Sequence, residues 1–375
     1  MVPEPVFSNS KRKNTRLVIQ LMLIVGAVVV ASQMSSCASP AYYWQAASGH
    51  FALMHARQPV DEALEHGTVD EFTAEKLQLS RQIIAFAIDQ LGLPDNGSYT
   101  EFVVTGQDAV VWNVVAAPEF SLQAKQWCFP VSGCVPYRGY FAEDKAGAFA
   151  DKLEKREYEV TVSPAIAYST LGWFDDPLLD TMWSRSDARF AAYIIHELAH
   201  QQLYLKGDSR FNESYASFVE LVGVQQWLRS LEDQVALQQW LELEEAEGDF
   251  TELMQVTRNE LEEVYASGEE PDELRARKLT VFERMEDSYG RIRDSKWDGR
   301  DYFGGWFLKP PNNARFALLD TYQGGNCAFR QLFVEAGEDM KVFHGLASEK
   351  SRLPDGERQA WLDQTCAGIA PGEEL

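Results

Sequence analysis

His196-Glu197-Leu198-Ala199-His200 forms an H-E-x-x-H pattern near the middle of this 375-residue chain. On an α-helix, positions i and i+4 lie one turn apart on the same face, so the two imidazoles can meet at one metal ion. Zinc often takes two histidines at this spacing, and a glutamate beside the first can reach a water molecule at the metal. The pattern specifies only three residue types, so its surroundings decide what it means.

The residues around this pattern predict a helix. Residues 187–195 contain neither proline nor glycine and consist of good or neutral helix formers. Gly207 is typical of a residue just past a helix end, and Lys206 suits the last turn. We therefore expect the pattern to lie inside a helix that ends about two turns after it.

A catalytic zinc site needs a third protein ligand and one open position. An extended motif with a third histidine is absent, because Lys206 stands at that place. The segment after Gly207 is predicted to be helical and carries Glu213 and Glu220, which are two turns apart and share a face. Either carboxylate can complete the site, and the other can then orient a ligand histidine from outside.

The segments HELAHQQLY (196–204) and FNESYASFVE (211–220) resemble zincin metallopeptidases of the gluzincin type. In those enzymes an N-E-x-x-A helix follows the H-E-x-x-H helix, and its glutamate completes the zinc site. More closely, the chain resembles a bacterial family of putative aminopeptidases that are predicted lipoproteins. Further stretches that carry this resemblance are 37–43, 136–141, 167–177 and 312–316.

The resemblance implies a metallopeptidase with one Zn²⁺ per chain, held by His196, His200 and Glu213. It leaves Glu220 as the outer residue or the alternative ligand. The expected reaction is hydrolysis of a peptide substrate by zinc-activated water, with Glu197 as the general base.

Three further residues are candidates for contacting the substrate or the oxyanion. Zincins often hold the oxyanion with a tyrosine, histidine or arginine, and Tyr168, Arg315 and Tyr322 are suitable by type. An aminopeptidase also needs an acidic group for the substrate's α-ammonium. Glu220, Asp175 and Asp176 are possible there, although the two aspartates before Pro177 also suit a helix N-cap.

Two alternatives to an aminopeptidase stay open. A zinc endopeptidase would have an open groove in place of an ammonium site. A non-catalytic zincin-fold lipoprotein would act as a binding or assembly module of the envelope. A purely structural zinc would tend to be fully ligated by protein and would not need Glu197, which argues against the second alternative.

Residues 1–36 predict a lipoprotein signal peptide. Basic residues at 11–16 precede the apolar run 17–31, which is short for a membrane span of about 20 residues. The sequence 34–37 resembles a lipobox, whose cysteine, Cys37, is acylated; an uncleaved single anchor is the alternative. We expect a lipid-anchored protein on the periplasmic side of the bacterial envelope. The second residue after Cys37 is Ser39 and not aspartate, which resembles lipoproteins that are sent on to the outer membrane.

The remaining cysteines and the charge agree with this location. An even number of cysteines fits an oxidising compartment, and Cys128 and Cys134 flank a turn-rich loop that a disulfide can close. Cys327 and Cys366 can then pair, although sequence alone allows three pairings. The net charge of −23 argues against nucleic acid or anionic lipid as a partner. The oligomeric state is not predicted.

The fold class predicted is α+β: zincin-like, mainly helical, with a small mixed sheet before the zinc-binding helix. Strand patterns occur at 101–105, 109–115, 137–141 and 158–162, and residues 167–171 suit a last strand beside the substrate. Charged helical sequence fills 228–293, with breaks expected at Gly248-Asp249 and Gly268. The predicted divisions are 1–36, 37–185 with the substrate-side sheet, 186–296 with the zinc helices and a helical hairpin, and 297–375.

Overall fold

A computed structural model describes residues 39–129, 133–168, 175–183, 186–319 and 326–364. These residues form an α+β fold that is mainly helical, as predicted. The helices are α1 (Pro40–His55), α2 (Val60–His66), α3 (Glu71–Asp89), α4 (Glu143–Glu154), α5 (Asp187–Gln202), α6 (Ser209–Ser230), α7 (Gln234–Ala266), α8 (Pro271–Lys296), α9 (Gly304–Phe307), α10 (Asn313–Leu319), α11 (Asn326–Glu335), α12 (Met340–Ser351) and α13 (Asp355–Leu362). The strands are β1 (Gln58–Pro59), β2 (Glu101–Val103), β3 (Val111–Pro118), β4 (Trp127–Phe129), β5 (Gly133–Val135), β6 (Arg138–Tyr140), β7 (Tyr158–Ala165) and β8 (Leu178–Leu179).

The strands form three small sheets. In one, β3 lies between β6 and β7 and pairs antiparallel with both, along its whole length with β7. A second is mixed, because β2 pairs antiparallel with β1 and parallel with β8. The third is the β4–β5 hairpin. Of the predicted strand at 167–171, residues 167 and 168 belong to no strand and 169–171 lie outside the described residues.

Helix α5 carries the H-E-x-x-H pattern and is shorter than predicted. The Ser186 hydroxyl caps its start by accepting a hydrogen bond from the amide of Arg189. The helix ends at Gln202, because the chain turns extended at the next residue. Asn212 holds this turn: its side chain accepts from the amide of Leu205 and donates to the carbonyl of the same residue. The helix therefore stops half a turn after His200, and Gly207, in the left-handed region, belongs to the following turn.

Helices α7 and α8 form the predicted hairpin, with Gly268 in the left-handed region at their turn. The break expected at Gly248-Asp249 is wrong, since α7 is continuous from residue 234 to 266. Its buried face, which includes Phe250, Met254 and Leu261, packs on α8 and forms a core separate from that around α5 and α6. That buried stripe outweighs the helix-breaking tendency of one glycine, about 1 kcal/mol.

The C-terminal helix α13 is attached to the start of α6. Arg358 of α13 donates to Asp208 across 2.6 Å, and Gln359 donates to the same carboxylate oxygen across 3.0 Å. Asp208 is also the N-cap of α6, accepting from the amide of Phe211. None of the helices in the described part of the chain is long and apolar enough to cross a membrane.

Candidate metal centre

Three side chains from α5 and α6 converge on one point. The Nε2 atoms of His196 and His200 lie 3.1 Å apart. The Oε2 atom of Glu213 lies 3.5 Å from the first and 3.7 Å from the second. Two atoms that each lie 2.0–2.1 Å from a tetrahedral ion are about 3.3 Å apart. The distances within this triad therefore suit three ligands of one tetrahedral metal ion. Among the described residues, His196, His200 and Glu213 are the group that could hold such an ion.

The convergence depends on close packing of α6 against α5. Gly223 of α6 faces Ile195 of α5, and a Cβ on this glycine would lie 3.0 Å from the nearest Ile195 methyl and 2.8 Å from Leu91. Both distances are shorter than an ordinary carbon–carbon contact, so glycine is what allows the helices to approach. Leu198 and Ala199, between the two histidines, are buried and fix the rotation of α5. Glu213 enters from the first turns of α6.

Glu220, two turns further along α6, contacts the other side of the first imidazole. Its Oε2 atom lies 2.9 Å from Nδ1 of His196. A carboxylate in this position holds the proton on Nδ1, which leaves the Nε2 lone pair free to bind a metal. Nδ1 of His200 is buried and has no hydrogen-bond partner among the residues that the structure describes. The geometry thus places Glu213 with the ligands and Glu220 behind His196.

The carboxylates and the imidazoles shift each other's pKa values. Burial lowers the pKa of His196, but its hydrogen bonds with Glu213 and Glu220 outweigh burial and raise that pKa to about 10. Burial raises the pKa of Glu213, yet its hydrogen bonds with both histidines bring that pKa down to about 2. Two carboxylates around two imidazoles are a donor set that suits a divalent cation.

Glu197 has the surroundings of a proton carrier. Burial raises its pKa, the two histidines lower it, and the charges of Glu213 and Asp176 raise it further, with a net upward shift. A raised pKa makes a carboxylate a stronger base, which favours its acceptance of a proton. Glu197 follows the first ligand directly, so its side chain leaves α5 about 100° around the helix from His196.

Tyr99 and Asp176 contact each other near Glu197, and this contact was not predicted from the sequence. The Tyr99 side chain is buried, and the pKa of its hydroxyl is raised well above the usual value by burial and by the charges of Glu197 and Asp176. Its amide donates to the Asp176 carbonyl across 2.8 Å. At φ +65°, Tyr99 adopts the left-handed conformation that is uncommon for a residue other than glycine. No spacing rule connects these two turns, so sequence patterns do not find them.

The N-cap predicted at Asp175 and Asp176 is wrong. Pro177 leads into β8, because Leu178 pairs with Phe102 of β2 and draws the chain into the sheet. Asp176 is only 1% exposed, whereas Asp175 is exposed. The structure thus places Asp176 inside the protein and Asp175 at its surface, and the role of either in binding a substrate ammonium group stays a prediction.

Of the three predicted substrate or oxyanion contacts, Tyr168 and Arg315 lie in described parts of the chain. The Tyr168 hydroxyl lies 2.9 Å from Nδ1 of His50, and burial and the charge of Asp176 raise its pKa to about 12. The oxyanion contact predicted for Arg315 is not supported, because its guanidinium is engaged elsewhere. It donates to the carbonyls of Lys309 and Trp306 and stacks 3.9 Å over the Trp306 ring. Tyr322 lies outside the described residues.

Two unpredicted tyrosines approach the third ligand. Burial raises the pKa of Tyr137 and of Tyr204, and the charge of Glu213 contributes to both shifts. Both residues are more than a third exposed. The sequence contains 14 tyrosines, and nothing in the spacing singles out these two.

The structure joins Cys128 and Cys134 in a disulfide, which is the local pairing expected from the loop between them. Cys327 takes part in a disulfide. Cys366 and the lipidation candidate Cys37 lie outside the described residues, so their predicted roles stay predictions.

Comparison with known proteins gives one match. The model of the family described as putative aminopeptidase matches residues 41–362. No curated protein and no solved structure matches the chain. The matched range contains the three converging ligands, Glu197 and Glu220, and covers most of the 375 residues. The chain that builds this centre is thus a member of the putative aminopeptidase family.

Proposed function

We propose that the protein is a zinc-dependent peptidase of the cell envelope, with aminopeptidase-like activity. The observation that carries this proposal is the convergence of His196, His200 and Glu213 with Glu197 beside them. The family description supports a peptidase. The zincin-like character of the fold is part of the proposal, and it is supported by the order of the two helices and by the position of each ligand on them.

The donor set favours zinc over the common oxygen-seeking cations. Magnesium and calcium are bound by six or more oxygen atoms, whereas two imidazoles and one carboxylate suit zinc. Three protein ligands leave a fourth position open, as in catalytic zinc sites. When bound, Zn²⁺ would polarise a substrate carbonyl and lower the pKa of a water molecule from 15.7 towards ~7.

The residues of the chain divide the remaining work. Glu197 takes the proton from the attacking water and delivers it to the nitrogen of the leaving amine. Glu220 holds the His196 ring so that its Nε2 faces the metal position. The hydroxyls of Tyr137, Tyr168 and Tyr204 are the nearby neutral donors that can bind a substrate carbonyl or the oxyanion.

We also propose that the chain is anchored by lipid at Cys37 on the periplasmic side of the envelope. The basic and apolar segments before Cys37 support this location. The Cys128–Cys134 disulfide agrees with it, because such bonds persist in oxidising compartments. The acidic net charge of −23 supports a peptide substrate over nucleic acid.

The decisive experiment measures zinc and turnover in the same samples. The full chain should contain about one zinc ion, as three converging ligands imply, and should release amino acids from peptides with a free N-terminus. Glu213→Gln should lose the metal, whereas Glu245→Gln, an exposed glutamate on α7, should keep both metal and activity. N-terminally blocked peptides separate the exopeptidase from an endopeptidase. Full zinc content without hydrolysis of any peptide would leave a non-catalytic module.

A further inference from the structure

Helix α1 lies on the surface and carries exposed aromatic side chains but no side chain of a charged residue type. Its 16 residues contain no lysine, arginine, aspartate or glutamate. Trp44 is 77% exposed and Phe51 is 69% exposed. The exposed positions between and beside them carry the small residues Ala41, Ala47, Ser48 and Ala52, and His55 is exposed at the end of the helix. Large exposed aromatic side chains that share one face usually mark an interaction surface, and the described residues leave the outer face of α1 uncovered.

The inner face of α1 is fixed to the rest of the protein. Gln45, which is buried, donates to the carbonyl of Gly139 and accepts from the amide of Phe141. Gly49 lies directly against the Phe141 side chain, where a Cβ would be 2.3 Å from the ring. These contacts prevent α1 from rolling, so the Trp44 and Phe51 side chains cannot turn inwards.

The two aromatic side chains point the same way. Seven residues separate them, which is about two helical turns and about 10 Å along the axis. Trp44, Phe51 and the small residues between them therefore form one flat strip, which we call the aromatic strip. A flat apolar strip parallel to a helix axis matches the geometry of a helix lying in the plane of a membrane interface.

Charge separates this strip from the rest of the protein. The chain has 57 acidic residues in 375 and a net charge of −23. From residue 38 to residue 60 there is no acidic residue at all, and the first is Asp61. Residues 38–60 themselves therefore bring no carboxylate to a membrane.

The chain before α1 identifies the occupant. Cys37, the lipidation candidate, is three residues before Pro40, and the apolar run 17–31 precedes it. Three residues span at most about 10 Å, so an acyl chain on Cys37 would keep the start of α1 close to the bilayer surface. Tryptophan is enriched at this depth, where its ring is amphipathic.

We propose that α1 lies in the headgroup region of the membrane with the aromatic strip facing the acyl chains. The proposal rests on the membrane anchor proposed above and does not depend on hydrolysis. The anchor alone would leave the catalytic part free to rotate on its tether. The strip adds a second attachment and gives the protein one orientation on the bilayer.

The test uses the full, lipidated chain in vesicles of phosphatidylcholine and phosphatidylethanolamine. Some of the phosphatidylcholine carries bromine on its acyl chains, which quenches tryptophan only on contact. The chain has ten tryptophans, so the Trp44 signal is taken as the difference from Trp44→Phe, which keeps the strip apolar. We expect brominated lipid to quench the full chain, and Trp44→Phe to reduce the quenched signal at least about threefold.

A double variant tests the strip itself. Ala47→Glu with Phe51→Glu keeps the Trp44 reporter but makes the strip charged. This variant should lower the quenching of Trp44 to the level left in Trp44→Phe, and by sedimentation the protein should stay on the vesicles through its lipid. Val235→Glu is the matched control, since Val235 is also 69% exposed but lies on α7; its quenching should equal that of the unaltered chain. Equal zinc content in all variants shows that the centre is intact.

Three outcomes would overturn the proposal. One is a vesicle-bound protein in which brominated lipid does not reach Trp44. A second is protection of Trp44 from acrylamide before lipid is added, which would indicate cover by the chain's own first residues. The third is a dimer that the double glutamate variant dissociates, which would make a second copy the occupant. A chain without peptidase activity but with quenched Trp44 would still support the membrane orientation.

Discussion

Glu220 and Glu213 lie on opposite sides of one imidazole, with Glu220 2.9 Å from Nδ1 of His196 and Glu213 3.5 Å from its Nε2. The two glutamates are seven residues apart on α6, and the ring is inserted between them. This arrangement gives each carboxylate one task, since an Nδ1 proton held by Glu220 leaves Nε2 to the metal.

Replacing Glu220 by glutamine should weaken the metal centre without removing it. The amide can still hydrogen-bond to Nδ1, but it supplies no negative charge and can stabilise the wrong tautomer. We expect zinc affinity to fall by about 10–100-fold, measured by competition with a chelator of known affinity. Unchanged affinity would assign Glu220 a role in packing only. Glu260→Gln, in an exposed ion pair with Arg284 on the helical hairpin, is the control.

Replacing Glu197 by glutamine should separate metal binding from turnover. Glutamine fills the same space and leaves His196, His200 and Glu213 in place, so zinc content should stay near that of the unaltered chain. Peptide hydrolysis should fall by about 10²–10⁴-fold, because the amide cannot accept the proton of the attacking water. Hydrolysis within a factor of about ten of the original, with zinc retained, would exclude Glu197 as the general base.

Glu244 predicts how stability depends on pH. Burial raises its pKa to about 8, and the neighbouring charges of Glu247 and Glu220 add to the shift, whereas a hydrogen bond from Gln225 opposes it. The unfolded chain ionises Glu244 near its ordinary pKa of 4.5, but the folded chain keeps the proton until about pH 8. The contribution of Glu244 to the free energy of unfolding therefore falls as the pH rises from about 4.5 to 8. Above pH 8 this contribution no longer changes.

Glu244→Gln should remove this loss. The variant and the unaltered chain should have similar unfolding free energies near pH 4.5, and the variant should be more stable by about 2 kcal/mol or more at pH 8. Denaturant unfolding of the zinc-free proteins at both pH values measures the difference. If the unfolding free energies of the variant and the unaltered chain differ by the same amount at both pH values, Glu244 is already ionised in the folded state at the lower pH. Glu245→Gln is the control, because Glu245 is the next residue in the chain and its side chain is exposed.

Arg358 should matter both for stability and for the metal. It pairs with Asp208 at 2.6 Å in a site where both side chains are nearly buried, at 10% and 8% exposure. Arg358→Met leaves a buried carboxylate without its cation, which typically costs about 3–5 kcal/mol. Because Asp208 caps α6, we also expect weaker zinc binding. Arg352→Met, on an exposed side chain, should change neither the unfolding free energy nor the affinity. Equal stability of both variants would contradict the role of the pair.

Sequence patterns identified the candidate metal ligands, but they did not predict how these side chains are arranged in space. The i, i+4 spacing of His196 and His200 predicts a shared face on any helix. The spacing of Glu213 and Glu220 predicts only that both lie on one face of α6. Which of them reaches Nε2 depends on how closely α6 approaches α5, and that is set by the contact of Gly223 with Ile195. A tertiary contact of this kind leaves no local pattern.

Other differences have equally specific causes. Helix α5 ends before its predicted stop because the Asn212 side chain holds the backbone of Leu205. Arg315 had the right chemical type for an oxyanion contact, but backbone carbonyls occupy its guanidinium. Tyr99 and Asp176 meet beside Glu197 through a contact between two distant turns. Local sequence predicts elements well, whereas long-range contacts select the residues of the site.

The attachment of α13 to the cap of α6 has a consequence for the order of events during synthesis. Asp208 has its Arg358 partner only after the last described helix has been made, 150 residues after the cap itself. A polypeptide still emerging from the ribosome, or one cut short near its end, would hold Glu213 on an incompletely fixed helix. We therefore expect the candidate metal centre to be complete only after the C-terminal helix has been made and has packed against the start of α6.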